Sequence, residues 1–213
     1  IRSFSGENRY ILDFLFDEVF QRQSADVRNF LLQTAVLEQL CGSLCAAVTL
    51  RDGSQAILET LEHDNLFLIA LDEHRKWYRY HHLFQDLLKS RLIQTMPDSV
   101  ALLHQRASTW YEAEQDQENA IVHALAAKDF ERAARLFCQD RLQVLYTRNI
   151  SLLDQWLQAF PKEFLFANPW LCIAKSQLLI TTGRQAEMPP YVSCAEAALT
   201  DMLQTGRISV GDP

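Results

Sequence analysis

The chain has 213 residues, 48% hydrophobic and 22% charged, with only six Gly and six Pro. That length holds one or two domains with real cores, and so few turn residues favour long helices over many short strands. The net charge of −7 disfavours non-specific binding to nucleic acid or to an anionic membrane, since both need clustered Lys and Arg.

No apolar run reaches the roughly 18 residues of a membrane span, and no secretory signal opens the chain. A cytoplasmic protein is expected. The chain begins with Ile1 rather than Met, which points to an excised or processed piece.

Residues 8–21 carry Tyr10, Ile11, Phe14, Leu15 and Val19 at helical spacing. Ser24 is placed as the N-cap of a second helix, with Val27, Phe30, Leu31, Thr34 and Ala35 on one face. Gly42-Ser43 breaks the pattern before a short helix over 44–48. Arg51-Asp52-Gly53 reads as a turn, and Ser54 as the cap of a third helix with Ala56, Ile57, Leu58 and Leu61 inward. The apolar run 66–71 and the alternating 77–80 flank a charged segment and predict a β-hairpin. Three short helices and a hairpin make a winged-helix arrangement. Residues 83–92 return to helix on a stripe of Leu83, Leu87, Leu88 and Leu92.

Met96-Pro97-Asp98-Ser99 is the linker candidate, since Pro suits a helix start and not its interior. Beyond it, helices are expected over 100–113, 118–127, 130–146, 152–160, 169–182 and 191–203. Tyr111, Tyr146 and Thr182 stand at comparable helix ends, 35 and 36 residues apart. That period suits helix-hairpin repeats of the tetratricopeptide kind, with Pro189-Pro190 inside the third connection. The expected fold is mainly α. A winged-helix subdomain with a short β-hairpin (1–95) precedes tetratricopeptide-like helical repeats (96–207) and a loose tail (208–213).

A winged helix invites a DNA-binding reading, but the helix over 54–64 holds Glu59, Glu62 and Asp64 and no Lys or Arg. Phosphates and guanine edges need donors, so this face is repelled by DNA. Residues 1–95 carry ten basic and thirteen acidic side chains, so this part as a whole is acidic too.

The adjacent His81 and His82 stand at the strand-to-helix junction. Their side chains are expected to diverge, and neither an HxxxH nor a CxxC supports them, so no metal site is expected. Cys41, Cys45, Cys138, Cys172 and Cys194 are scattered among apolar neighbours and read as buried free thiols. There is no GxxxxGK[ST] phosphate loop and no GxSxG nucleophile, so no catalytic residue is assigned. His104 and His123 read as packed or half-exposed helix residues, and Trp110, Tyr111, Trp156 and Trp170 as core aromatics between hairpins. The residues themselves leave His81 and His82 as interface or capping groups.

Several strings are similar to the large ATP-dependent LuxR-type (MalT-like) transcriptional regulators. Residues 30–49 resemble their winged-helix opening. Asn65-Leu66-Phe67-Leu68 and Trp77-Tyr78-Arg79-Tyr80-His81-His82-Leu83-Phe84-Gln85-Asp86-Leu87-Leu88 resemble its hairpin and exit helix, and 103–112 and 120–130 the first helices of the sensor side. The matches keep their order over residues 8–137.

The resemblance implies a signalling nucleotide-binding protein. An ATPase domain would lie upstream, a helical-repeat effector sensor downstream, and a LuxR-type helix-turn-helix at the far C-terminus. ATP or ADP would be the parent's cofactor, with none held by this segment alone. In the wider class of signal-transduction ATPases a winged-helix histidine just before a helix contacts the ADP phosphates, in a Met-His-Asp pattern. Aligning the helix from Leu83 puts His81 at that position, with Tyr80 and His82 where the pattern has Met and Asp. His82 stays a second candidate. Expected partners are the other domains of the same chain and a small-molecule or protein effector, with no membrane and no nucleic acid bound directly. A freestanding helical-repeat adaptor and a DNA-binding winged helix are the alternatives.

Overall fold

The computed structural model describes residues 19–139 and 150–204. The expected helix over 8–21 lies outside them apart from its last three positions. So do the end of the 130–146 helix, the Tyr146 helix end and the 208–213 tail. The described residues divide into two compact units, one ending at Asp116 and the other beginning at Gln117.

The first unit opens with α1 (Ala25–Thr34). Its N-cap is Ser24, as the sequence indicates, and the Ser24 hydroxyl accepts from the Val27 N–H at 3.3 Å. Phe30, Leu31 and Thr34 are buried on the expected face. The second helix, α2 (Gly42–Thr49), begins at Gly42, where a break was expected. A Cβ at Gly42 would stand 2.8 Å from Gln55 Cβ and 3.2 Å from Gln55 Cα. Glycine is therefore what lets the start of α2 approach α3 (Ser54–His63) closely.

Ser54 is not the cap of α3. Gly53 takes that place at φ 77°, and the Ser54 hydroxyl donates back to the Arg51 carbonyl at 3.1 Å. Leu58 and Leu61 are buried as expected, but Ala56 is exposed.

The hairpin is shorter than the apolar run suggested, with β1 (Leu68–Ala70) antiparallel to β2 (Tyr78–Tyr80). Leu40 adds a bridge on the far side of β2, with reciprocal backbone hydrogen bonds to Tyr78 at 2.8 Å each way. Nothing in the local pattern around Leu40 marks it as a strand. Asp72 organises the turn. Its carboxylate accepts from the N–H groups of His74, Lys76 and Trp77, and the bonds from Lys76 and Trp77 hold it below the usual carboxylate range.

The exit helix α4 (His82–Thr95) buries Phe84, Leu87, Leu88 and Leu92, and α5 (Ser99–Ala113) follows the Met96-Pro97 turn. The first unit extends past that linker to Asp116 because α5 packs on α2. Arg106 donates to the Val48 carbonyl at 2.9 Å, and Trp110 meets Trp77 edge to face at 6.4 Å.

The second unit is a run of helical repeats. It comprises α6 (Gln117–Ala126), α7 (Phe130–Gln139), α8 (Ile150–Ala159), α9 (Lys162–Ala167), α10 (Pro169–Thr181) and α11 (Pro189–Gln204). The three residues between α6 and α7 make that pair an antiparallel hairpin. Asn168 caps α10, its side-chain oxygen accepting from Trp170 and Leu171, with Pro169 at the first helical position. Pro189 and Pro190 do not sit in a loop as expected. They open α11, where a missing N–H costs nothing. The short α9 was not legible, since it falls between two polar breaks. Phe160 and Phe164 stack at 5.8 Å, with Phe130 against both, and Phe137 meets Trp156 edge to face.

Among the described residues, five helices stop in the same way. Leu50, Asn65, Gln115, Lys128 and Gly183 all take positive φ, and the next N–H reaches back to the carbonyl five residues earlier. This is the Schellman stop, which glycine adopts without strain and a residue with a Cβ does not. Gly183, and more weakly Asn65, announce it in the sequence. Lys128→Gly is expected to raise the unfolding free energy by up to about 1 kcal/mol, read by urea titration. No gain would mean that the added freedom of the unfolded chain cancels the relieved strain.

Candidate functional site

The alternation of β2 sends Tyr78 and Tyr80 into the core of the first unit and leaves Arg79 exposed, opposite Ile69 in register. Thr34 donates to the Phe30 carbonyl at 2.7 Å, so the Tyr80 hydroxyl, also 2.7 Å away, supplies the proton of the Thr34–Tyr80 bond. Burial pushes the Tyr80 phenol far up, so it stays a neutral donor. Gln85, buried in the first turns of α4, donates to the Leu37 carbonyl at 2.7 Å. These two bonds fix the end of β2 and the start of α4 against the segment after α1.

His81 sits between them as the N-cap of α4. Its backbone N–H donates to the Phe67 carbonyl at 2.7 Å, and its own carbonyl accepts from Gln85. Phe67 holds φ at 54°, a strained conformation for a bulky residue, with its ring packed on His81 and Phe84. Strain of this kind persists only where surrounding packing enforces it.

The two histidine rings do not diverge. Their centroids are 4.4 Å apart at 33°, because His81 is extended while His82 is already helical, which swings the second ring back over the first. His81 Nδ1 is buried without a hydrogen-bond partner, and the imidazole makes no capping bond to its helix. A pocket of about 450 Å³ opens here, lined among others by Glu38, Leu71, Arg79, His81, His82 and Gln85. Glu38 is held by Lys89 at 2.8 Å.

Among the described residues, no group of three His, Cys, Asp or Glu side chains is placed to hold a metal ion. No helix among them is long and apolar enough to cross a membrane. His123 is buried and His104 half-buried, and burial together with nearby Lys89 holds His104 down at about 4. Cys41, Cys45 and Cys172 are buried free thiols, whereas Cys138 and Cys194 are half-buried. Sequence reasoning missed Arg79 as a pocket residue. Its flanking buried tyrosines were the available signal.

Three short helices, a hairpin closed by the Leu40 bridge and an exit helix define a winged helix, here followed by helical repeats. Residues 16–100 match the MalT winged helix domain, and the winged helix of this chain belongs to that domain family.

It is similar to the HTH-type transcriptional regulator MalT of Cronobacter sakazakii, 32% identical over 196 residues, which are 92% of this chain and 22% of that protein. It is as similar to the serine/threonine-protein kinase PknK of Mycobacterium tuberculosis, 32% identical over 199 residues, 93% of this chain and 18% of the kinase. MalT of Klebsiella pneumoniae is 30% identical over 205 residues, 96% of this chain and 23% of its own length. The chain thus spans about a fifth of the length of the curated relatives it matches.

Proposed function

We propose that this chain couples the nucleotide state of an ATPase domain elsewhere in the same protein to tetratricopeptide-like repeats that read a small-molecule or protein effector. The whole protein would be a cytoplasmic, ATP-dependent LuxR-type transcriptional regulator. DNA contact would belong to a separate helix-turn-helix and ATP or ADP to the ATPase domain. The chain itself would be a switch element and not an enzyme.

The observation that carries this reading is His81, an N-cap imidazole with an unpartnered buried nitrogen at the wall of an open pocket. An orphaned ring nitrogen costs about 1–3 kcal/mol, and turning the ring so that this nitrogen donates to a phosphate oxygen on a neighbouring domain would repay it. A donor imidazole favours one phosphate state of a nucleotide, and exchange of ADP for ATP would remove the contact and release the winged helix. The hydrogen bonds of His81 to Phe67 and of Gln85 to Leu37 give the helix a rigid grip on the rest of its unit. Relatives of similar identity are named as a transcriptional regulator and as a kinase. Their outputs differ, which favours a shared switching role for the common region.

In the full-length protein, His81→Ala is expected to weaken ADP retention and raise basal transcription, with His82→Ala as the comparison. Unchanged ADP affinity together with unchanged basal transcription in both variants would remove the reading. A freestanding helical-repeat adaptor is the alternative, and it predicts no effect of either histidine on nucleotide.

A further inference from the structure

We infer that Arg79 is the charge-bearing anchor of this pocket and binds the terminal phosphate of a nucleoside diphosphate together with the N-terminus of α4. The inference rests on the nucleotide reading above and adds the residue that would supply most of the attraction.

Arg79 is exposed by the strand alternation, and its guanidinium has no hydrogen bond or ion pair among the described residues. That is unexpected in a segment where acidic side chains outnumber basic ones. Glu38 lines the same pocket, yet its carboxylate is engaged by Lys89 at 2.8 Å and leaves Arg79 unneutralised. Beside it, α4 runs fourteen residues and its N-cap side chain makes no capping bond. The first-turn N–H groups therefore receive no acceptor from the cap side chain, and their partial positive charge favours an anion. Two imidazoles complete the wall.

Each feature suits a phosphate, but they differ in strength. Arginine stays charged at every accessible pH and presents a planar fork of donors, which a histidine does not. A charge-assisted pair with a phosphate oxygen is roughly twice as strong as a neutral hydrogen bond. His81 would then orient the phosphate, while Arg79 supplies the attraction. Tyr78 and Tyr80, fully packed on either side, hold the strand that carries the guanidinium.

The test measures ADP affinity of the full-length protein by calorimetry for Arg79→Ala, Arg79→Lys and His81→Ala. Arg79→Ala is expected to lose about tenfold or more, and lysine to recover part, having the charge but not the fork. The salt dependence of ADP binding should also flatten in Arg79→Ala. ADP affinity within about twofold of the parent in Arg79→Ala, with a clear loss in His81→Ala, overturns the inference and leaves the nucleotide reading standing. A loss in Arg79→Ala alone supports Arg79 and removes His81 from the contact. No loss in any variant overturns both. Arg79 covers no core, and Arg79→Gln, which keeps part of the stem, gives the same readout should the alanine variant misfold.

Discussion

Replacing Phe84 by Ala is expected to cost about 3–5 kcal/mol of unfolding free energy, the range for a fully buried aromatic. Phe84 is 0% exposed in the first turn of α4, with Phe67 and Tyr80 at 5.8 and 5.9 Å. It is the side chain on which the strained Phe67 and the end of β2 both rest. Its removal leaves a cavity beside Phe67 and Tyr80 and frees Phe67 to leave its left-handed conformation. Urea unfolding of this chain, followed by circular dichroism, measures the loss. A change under about 1 kcal/mol would mean that neighbouring rings collapse into the space and that the junction does not depend on this ring.

The second large effect lies in the helical repeats. Lys175 on α10 is nearly buried, and its ammonium donates to Asp154 on α8 at 3.1 Å. Burial raises the Asp154 carboxyl, but the hydrogen bonds from Gln158 and Lys175 more than offset this and leave it below the ordinary value. A depressed carboxyl contributes stability that is present above the unfolded-state value and is lost as pH falls through the folded one. Asp154→Asn is expected to cost about 1–3 kcal/mol at neutral pH, because a nearly buried ammonium is left without its counter-charge. The gap from the parent should close as the pH drops below about 4. A gap that persists at low pH would mean that the loss comes from packing and not from charge.

Much of the first unit was legible from residue spacing alone. The Ser24 cap, the stripes of α1 and α4, the alternation of 77–80 and the acidic face of α3 all follow from period and chemistry, and each expresses a preference that is local to a few residues. Three features were not legible, because each depends on partners far away in the chain. The Leu40 bridge exists only because β2 lies beside it. Gly42 reads as a breaker until α3 is set against it. The histidine pair was expected to splay, and stacks because one residue is extended and the next helical.

The helix stops show the same division. Gly183 declares its positive φ through its lack of a Cβ, whereas Lys128 and Gln115 carry nothing that marks theirs. They are held in that conformation by the backbone bonds of the turn and the packing of the helices around it.

By itself, the sequence determined the class of fold, the acidic winged helix and the position of the two histidines at a strand-to-helix junction. Helix period, strand alternation and charge are properties of neighbouring residues and need no tertiary partner. Only the tertiary structure decided that Arg79 joins those histidines in one pocket, that His81 Nδ1 is buried without a partner, and that Glu38 is occupied by Lys89. Such facts turn on distances between residues far apart in the chain, and those distances are set when the hairpin folds against α1 and α4.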